Sequence, residues 1–240
     1  PAGRAAPSGC GGFCEVGTMG YIDIGGIEVF RGGAGASSPV IYVIDSPEHP
    51  FGLAAVAEGR GATVVRVPVR DWADSLTPWE APGLRRGAPR FGGRSVSTFY
   101  ELRGTVVPLV EERLGASRPP RRAICGYSLG GLFALFAFTG DRLFSACACL
   151  SGSLWYHGWG DYLGAAPFEG AGRYAFLSLG KKEPKAGAPI MRGVADDMSA
   201  CARILERHGC AVDCSIGPGG HMQHHRERFE EGLAALEAHL

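Results

Sequence analysis

Short, mostly apolar runs recur along the chain: Val40–Ile44, Thr63–Val67, Arg121–Cys125, Ala146–Leu150, Tyr174–Leu179 and Cys210–Ile216. Several carry no polar side chain at alternate positions, as expected of strands covered on both faces. Ile22–Phe30 instead alternates and turns at Gly25-Gly26, which predicts a hairpin or two short edge strands. Helical stretches separate the runs: Phe51–Glu58, Ser95–Leu114, Leu129–Thr139, Ile190–His208 and Arg226–His239. Ser95 or Ser97 is expected to cap the second of these and Pro108 to bend it. Strands alternating with helices predict an α/β fold, a doubly wound, mostly parallel sheet in a single domain. Residues 1–18 are rich in Gly, Ala, Pro and Ser without periodicity and are expected to be disordered, leaving 19–240 as the domain. Residues 70–93 form a long stretch rich in Pro, Gly and Arg, with Trp72 and Trp79. A loop of that length in a compact domain points to function, so it is expected to line a cleft.

Between the run ending at Cys125 and the helix from Leu129 the chain reads Gly126-Tyr127-Ser128-Leu129-Gly130-Gly131. This is G-x-S-x-G at a strand-to-helix turn, the arrangement that exposes a nucleophilic serine. Glycines permit the close approach of strand and helix. Ser128 is left projecting at a helix N-terminus, where free amides favour negative charge. With 38 glycines the motif alone is weak, and its flanking strand and apolar helix give it weight.

A serine hydroxyl needs a base within reach, and the base needs an orienting acid. In sheets of this kind such groups sit at the carboxyl ends of strands, in the order serine, acid, histidine. His221 follows the last predicted strand on a Gly-Gly turn and is the expected base. His224 and His225 are rivals expected to face solvent. Glu183 is the carboxylate in the loop after Tyr174–Leu179, among Lys181, Lys182 and Lys185, which are the chain's lysines. Asp196 and Asp197 lie within a helix and Asp213 mid-strand, and a Ser–His dyad is the other arrangement. For the oxyanion, the amide of Leu129 is one expected donor. The amide of Ser46 is the other, since Pro47 has none.

Composition narrows the partners. Lys plus Arg and Asp plus Glu each number 24, so nothing steers the chain toward a phosphate backbone or an anionic membrane. No apolar run is long enough to span a bilayer and Pro1–Gly17 lacks a secretory core, so the expectation is cytoplasmic. Of eight cysteines, Cys125, Cys147 and Cys149 fall in buried runs. The spacings of Cys10 with Cys14 and of Cys210 with Cys214 do not make a metal site, and no cofactor is expected.

Several stretches in order resemble the putative-esterase branch of the α/β-hydrolases, which includes esterase D-like enzymes and esterases of catecholate siderophores. They are Ile41–Asp45; Asp71-Trp72 with Leu76-Thr77-Pro78-Trp79; Phe91-Gly92-Gly93; Gly126–Ala134; Ser151-Gly152-Ser153-Leu154-Trp155-Tyr156; Ser178-Leu179-Gly180 with Glu183; and Gly219-Gly220-His221. The siderophore-esterase-like members are the most similar. The resemblance implies an α/β-hydrolase fold, Ser128 as nucleophile, His221 as base, and a cleft walled by the Leu-Thr-Pro-Trp stretch. Lys181 stands where such members often carry an acid, which leaves that function to Glu183. Arg70 and Arg90, with Trp79 and Trp155, are expected to meet the substrate. Arginines among aromatics suit an anionic aromatic guest such as a ferric catecholate. The expected activity is a serine esterase on a small-molecule, siderophore-type ester. A general carboxylesterase, a thioesterase, an acyltransferase and a non-catalytic binder on the same scaffold are the alternatives.

Overall fold

The computed structural model describes residues 20–115, 121–185 and 188–240. The expectation of disorder over 1–18 and the Cys10–Cys14 pair lie outside them. In chain order the strands are β1 (Tyr21–Ile24), β2 (Ile27–Phe30), β3 (Val40–Asp45), β4 (Thr63–Pro68), β5 (Glu80–Ala81), β6 (Phe91–Gly92), β7 (Arg122–Tyr127), β8 (Ala146–Leu150), β9 (Tyr174–Gly180) and β10 (Ala211–Gly217). The helices are α1 (Ala54–Ala57), α2 (Trp72–Ser75), α3 (Ser95–Glu101), α4 (Val107–Leu114), α5 (Leu129–Gly140), α6 (Trp159–Ala165), α7 (Val194–Arg207) and α8 (His225–Glu237).

Eight strands form the main sheet in the order β1-β2-β4-β3-β7-β8-β9-β10. The first two joints, β1–β2 and β2–β4, are antiparallel, and every pair from β4 to β10 is parallel. Strands β3, β8 and β9 are buried along their whole length, which is why their sequences do not alternate. One face packs against α3 to α7 and the other against α1 and α8, giving two hydrophobic layers. This is the doubly wound, mostly parallel sheet expected from the sequence.

The central helix α5 is apolar all round and buried on nearly every side. Arg173 closes its carboxyl end: the buried guanidinium donates to the carbonyls of Phe138, Asp141 and Phe144 and lies over the rings of Phe138 and Phe168.

Several local expectations are corrected. The 95–114 segment is helical throughout, as expected, but a π-helical turn over Leu102–Val106 joins α3 to α4. Pro108 has no N–H and its ring crowds the carbonyl four residues back, so the wider turn forms just ahead of it. Neither Ser95 nor Ser97 caps α3. Its cap residue is Arg94, and Ser95 is buried with its amide on the carbonyl of Thr77. The helix expected from Ile190 begins as a 3₁₀ turn, Pro189–Gly193, because Pro189 sets the first turn. The helix expected over Phe51–Glu58 shortens to one turn. Residues 70–93 contain α2 and the β5–β6 ladder, tied down where the Thr77 hydroxyl accepts from the Gly93 amide and donates to the carbonyl of Ala73.

Candidate active site

Ser128 sits between β7 and α5 with φ 58° and ψ −121°, a left-handed conformation that costs a non-glycine residue energy. Its backbone is fixed on both sides. The Ser128 amide donates to Leu150 O at 3.0 Å, and its carbonyl accepts from Gly131, Leu132 and Ser153. The turn needs glycine at 126, where a Cβ would lie 2.2 Å from Gly130 O.

The Ser128 hydroxyl lies 3.0 Å from His221 Nε2. His221 Nδ1 lies 2.8 Å from Glu183 Oε2. His221 is carried on the turn after β10, and Glu183 opens a 3₁₀ turn after β9. The structure thus brings together three side chains far apart in sequence, in the order serine, acid, histidine. Glu183 is 1% exposed, although its lysine neighbours Lys181 and Lys182 are exposed. Burial pushes its carboxyl up. Hydrogen bonds from His221, the Gly180 amide and Ser151 outweigh that and hold it below the usual value.

Residues that the sequence reading missed complete the surroundings. Tyr127, the variable position of the elbow, donates its hydroxyl to His221 O. Burial raises its phenol, so the proton needed for that bond stays in place. Ser151, in a run noted only for its pattern, bonds Glu183 Oε1 at 2.8 Å. Arg228, on α8, touches both. His225, expected to face solvent, is half-buried against Tyr127 and Phe51, and its Nε2 meets His221 O at 3.1 Å. Burial lowers its affinity for a proton, which suits a neutral ring donating one N–H. Ser153 Oγ lies 3.5 Å from Ser128 Oγ.

The expected oxyanion donors differ. Leu129 is the first residue of α5, where an amide has no intrahelical acceptor. The Ser46 amide donates to Asp45 Oδ1 at 2.8 Å, so it is engaged in this structure.

The expected substrate residues fall into two groups. Arg70 is exposed and lines a cavity of about 460 Å³ with Ile44, Val67, Phe133, Asp71 and Arg94; the relay residues are not among its lining. Arg90 is exposed beside Phe91, whose ring centroid lies 6.2 Å from that of Trp155. Trp79 is more structural: its indole N–H donates to His157 O and its ring packs on Tyr156 and Tyr162. Tyr156 returns a hydroxyl bond to Trp79 O. The Leu-Thr-Pro-Trp and Ser-Gly-Ser-Leu-Trp-Tyr stretches are therefore joined to each other.

Comparison with known proteins bears on the family and the fold. The family model described as "Putative esterase" matches residues 33–189. The chain is 27% identical over 168 residues to the uncharacterized protein YbbA of Bacillus subtilis (strain 168), covering 68% of this chain and 67% of that protein. An IroE-like serine hydrolase from Shewanella oneidensis superposes with a TM-score of 0.70 at 18% identity, covering 88% of this chain and 75% of the other. The siderophore hydrolase EstA from Aspergillus nidulans superposes with a TM-score of 0.68 at 20% identity, covering 88% and 89%.

Proposed function

This chain belongs to the Putative esterase family and is a hydrolase of ester bonds, and from that premise we propose that it is a serine esterase working through an acyl-enzyme on Ser128. The observation that carries the reading is the continuous relay from Ser128 Oγ through His221 to Glu183, at 3.0 and 2.8 Å.

Ser128 Oγ attacks the ester carbonyl carbon as His221 Nε2 takes its proton. The tetrahedral intermediate collapses, and the same proton goes to the departing alkoxide. Water then attacks the acyl-enzyme, again deprotonated by His221, and the acid product leaves with Ser128 restored. Glu183 accepts from Nδ1–H, which fixes the tautomer and offsets the imidazolium charge. The Leu129 amide and the positive end of α5 stabilise the oxyanion.

The substrate class we read is a siderophore-type ester. Support comes from the fold shared with a protein named a siderophore hydrolase and from the exposed Arg90 next in sequence to Phe91, whose ring centroid lies 6.2 Å from that of Trp155. A small-molecule ester is the partner. Among the described residues no helix is long and apolar enough to cross a membrane.

Ser128→Ala is expected to lower ester hydrolysis by about 10⁴-fold or more while the fold survives. A fluorophosphonate probe should label wild type at Ser128 and leave the variant unlabelled. Undiminished hydrolysis by the variant would overturn the reading, and a wild type that binds siderophores but resists the probe would mark a pure binder. Turnover of apo and ferric catecholate trilactones against simple carboxylic esters and thioesters decides the substrate class.

A further inference from the structure

Resting on that reading of the relay, we propose that Arg228 is a positioning residue that holds the acid and the histidine turn in register through one buried guanidinium. Its side chain is 4% exposed. Nη1 lies 2.9 Å from Ser151 Oγ and 3.4 Å from Glu183 Oε1, and it donates to the hydroxyl of Tyr127. Nη2 donates to Pro218 O at 3.1 Å and Gly220 O at 3.2 Å, in the turn that presents His221. A single planar group thus touches side chains at the ends of β7 and β8, the acid after β9 and the carbonyls leading to the base.

The split of contacts on Glu183 shows what this accomplishes. Oε1 accepts from the Ser151 hydroxyl and the Gly180 amide and lies 3.4 Å from Arg228 Nη1 as an ion pair, while Oε2 faces His221. The carboxylate cannot rotate without breaking the first set, so its second oxygen stays aimed at Nδ1. Arg228 also balances the charge of Glu183 where water is scarce. Tyr127 closes the loop by accepting from Arg228 and donating to His221 O.

Helix stability does not explain a cation here. Arg228 lies in the first turn of α8, where the positive end of the helix repels it. Its Nε is buried and has no hydrogen-bond partner among the described residues. The strand opposite is shaped to admit it: a Cβ at Gly180 would lie 2.3 Å from Nη2 and 3.0 Å from Glu183 Oε1. The backbone of Gly180 is not left-handed, so space for the guanidinium and for the neighbouring Gly219 carbonyl is what requires glycine.

The test is a kinetic cycle on the full chain. Arg228→Met is expected to lower kcat by about 100-fold with KM changed by less than about threefold, since the proton relay loosens while the cleft is untouched. Arg228→Lys should recover about tenfold of that loss, because an ammonium keeps the charge without the fork. The deciding measurement is Arg228→Met in a Glu183→Gln background. If Arg228 acts through the acid, its removal there costs less than about threefold further. Additive losses, a loss confined to KM, or unchanged kcat would overturn the proposal. Should Arg228→Met fail to fold, the cycle of Ser151→Ala with Arg228→Lys reads the same coupling, and additivity there is equally fatal. Ser128→Ala separates the two claims: if it is inactive while Arg228→Met turns over normally, the esterase reading stands and this inference falls.

Discussion

Two buried carboxylates sit at strand ends of the same sheet, each beside an arginine. Asp45 ends β3, is fully buried, and pairs with Arg66 at 2.6 Å. Glu183 follows β9 and pairs with Arg228 at 3.4 Å. Their electrostatics nevertheless run in opposite directions. Burial pushes the Asp45 carboxyl up, and bonds from Arg66 and from the amides of Ser46 and Phe51 do not fully offset it. At Glu183 burial also pushes up, but bonds from His221, Gly180 and Ser151 prevail. The second oxygen marks the functional difference. Asp45 gives one oxygen to amides and the other to Arg66, so both serve the loop. Glu183 satisfies its structural partners with one oxygen and keeps the other for an imidazole. A buried carboxylate at a strand end thus becomes part of a relay only when half of it is left uncommitted by the scaffold.

The sharpest way to break the comparison is to neutralise each side without changing its shape. Glu183→Gln should lower kcat by about 10³-fold, measured on any turned-over ester, because the amide cannot balance the imidazolium. Asp45→Asn should leave kcat within about threefold and change unfolding free energy, read from urea transitions, by about 1 kcal/mol, since Arg66 loses one of its two carboxylate partners and keeps Glu28. If both variants lose rate equally, the two clusters are not distinct.

Acid titration sharpens the same contrast. Glu183 binds its proton more weakly folded than unfolded. Its stabilisation is complete at neutral pH and is lost as pH falls below the ordinary carboxylate range. Asp45 binds its proton more tightly folded than unfolded, so its share grows as pH falls toward that range. As pH falls from neutral through and below the carboxylate range, Glu183→Gln should therefore flatten the loss of stability, and Asp45→Asn should steepen it, read from urea transitions at each pH. The smallest effects belong to the exposed arginines. Arg70→Ala and Arg90→Ala should change stability by less than about 0.5 kcal/mol. They should raise KM for anionic aromatic esters about threefold, a difference that shrinks in high salt.

Much of this was legible from sequence because it depended on local pattern. The runs that became β3 and β8 are apolar throughout, and that of β9 nearly so, since both faces are covered, and the elbow announces itself through Gly126 and Gly130. The order of Ser128, Glu183 and His221 followed from which strand each residue trails. What could not be read depends on approach across the sheet. Arg228 sits in a charged stretch, His224-His225-Arg226-Glu227-Arg228, that looks like a solvated helix face. Its burial is decided by the missing Cβ at Gly180, 48 residues earlier. Ser46 was a reasonable donor by position; that Asp45 would fix its loop by capping local amides was also readable, but not that the Ser46 amide would be one of those it takes. The π turn ahead of Pro108 was hidden because a proline in a helical pattern signals disruption without specifying its form.

Arg173 gives the elbow a further property. A helix carries about half a positive charge at its amino end and about half a negative charge at its carboxyl end. In α5, whose 12 residues span about 18 Å, the guanidinium of Arg173 donates to the carbonyls of Phe138 and Asp141 at the far end and offsets part of the negative pole. The opposite pole, beneath Ser128, keeps its field. Negative charge developing there in the proposed reaction would meet a positive pole whose opposing pole is partly offset by a residue about a helix length away.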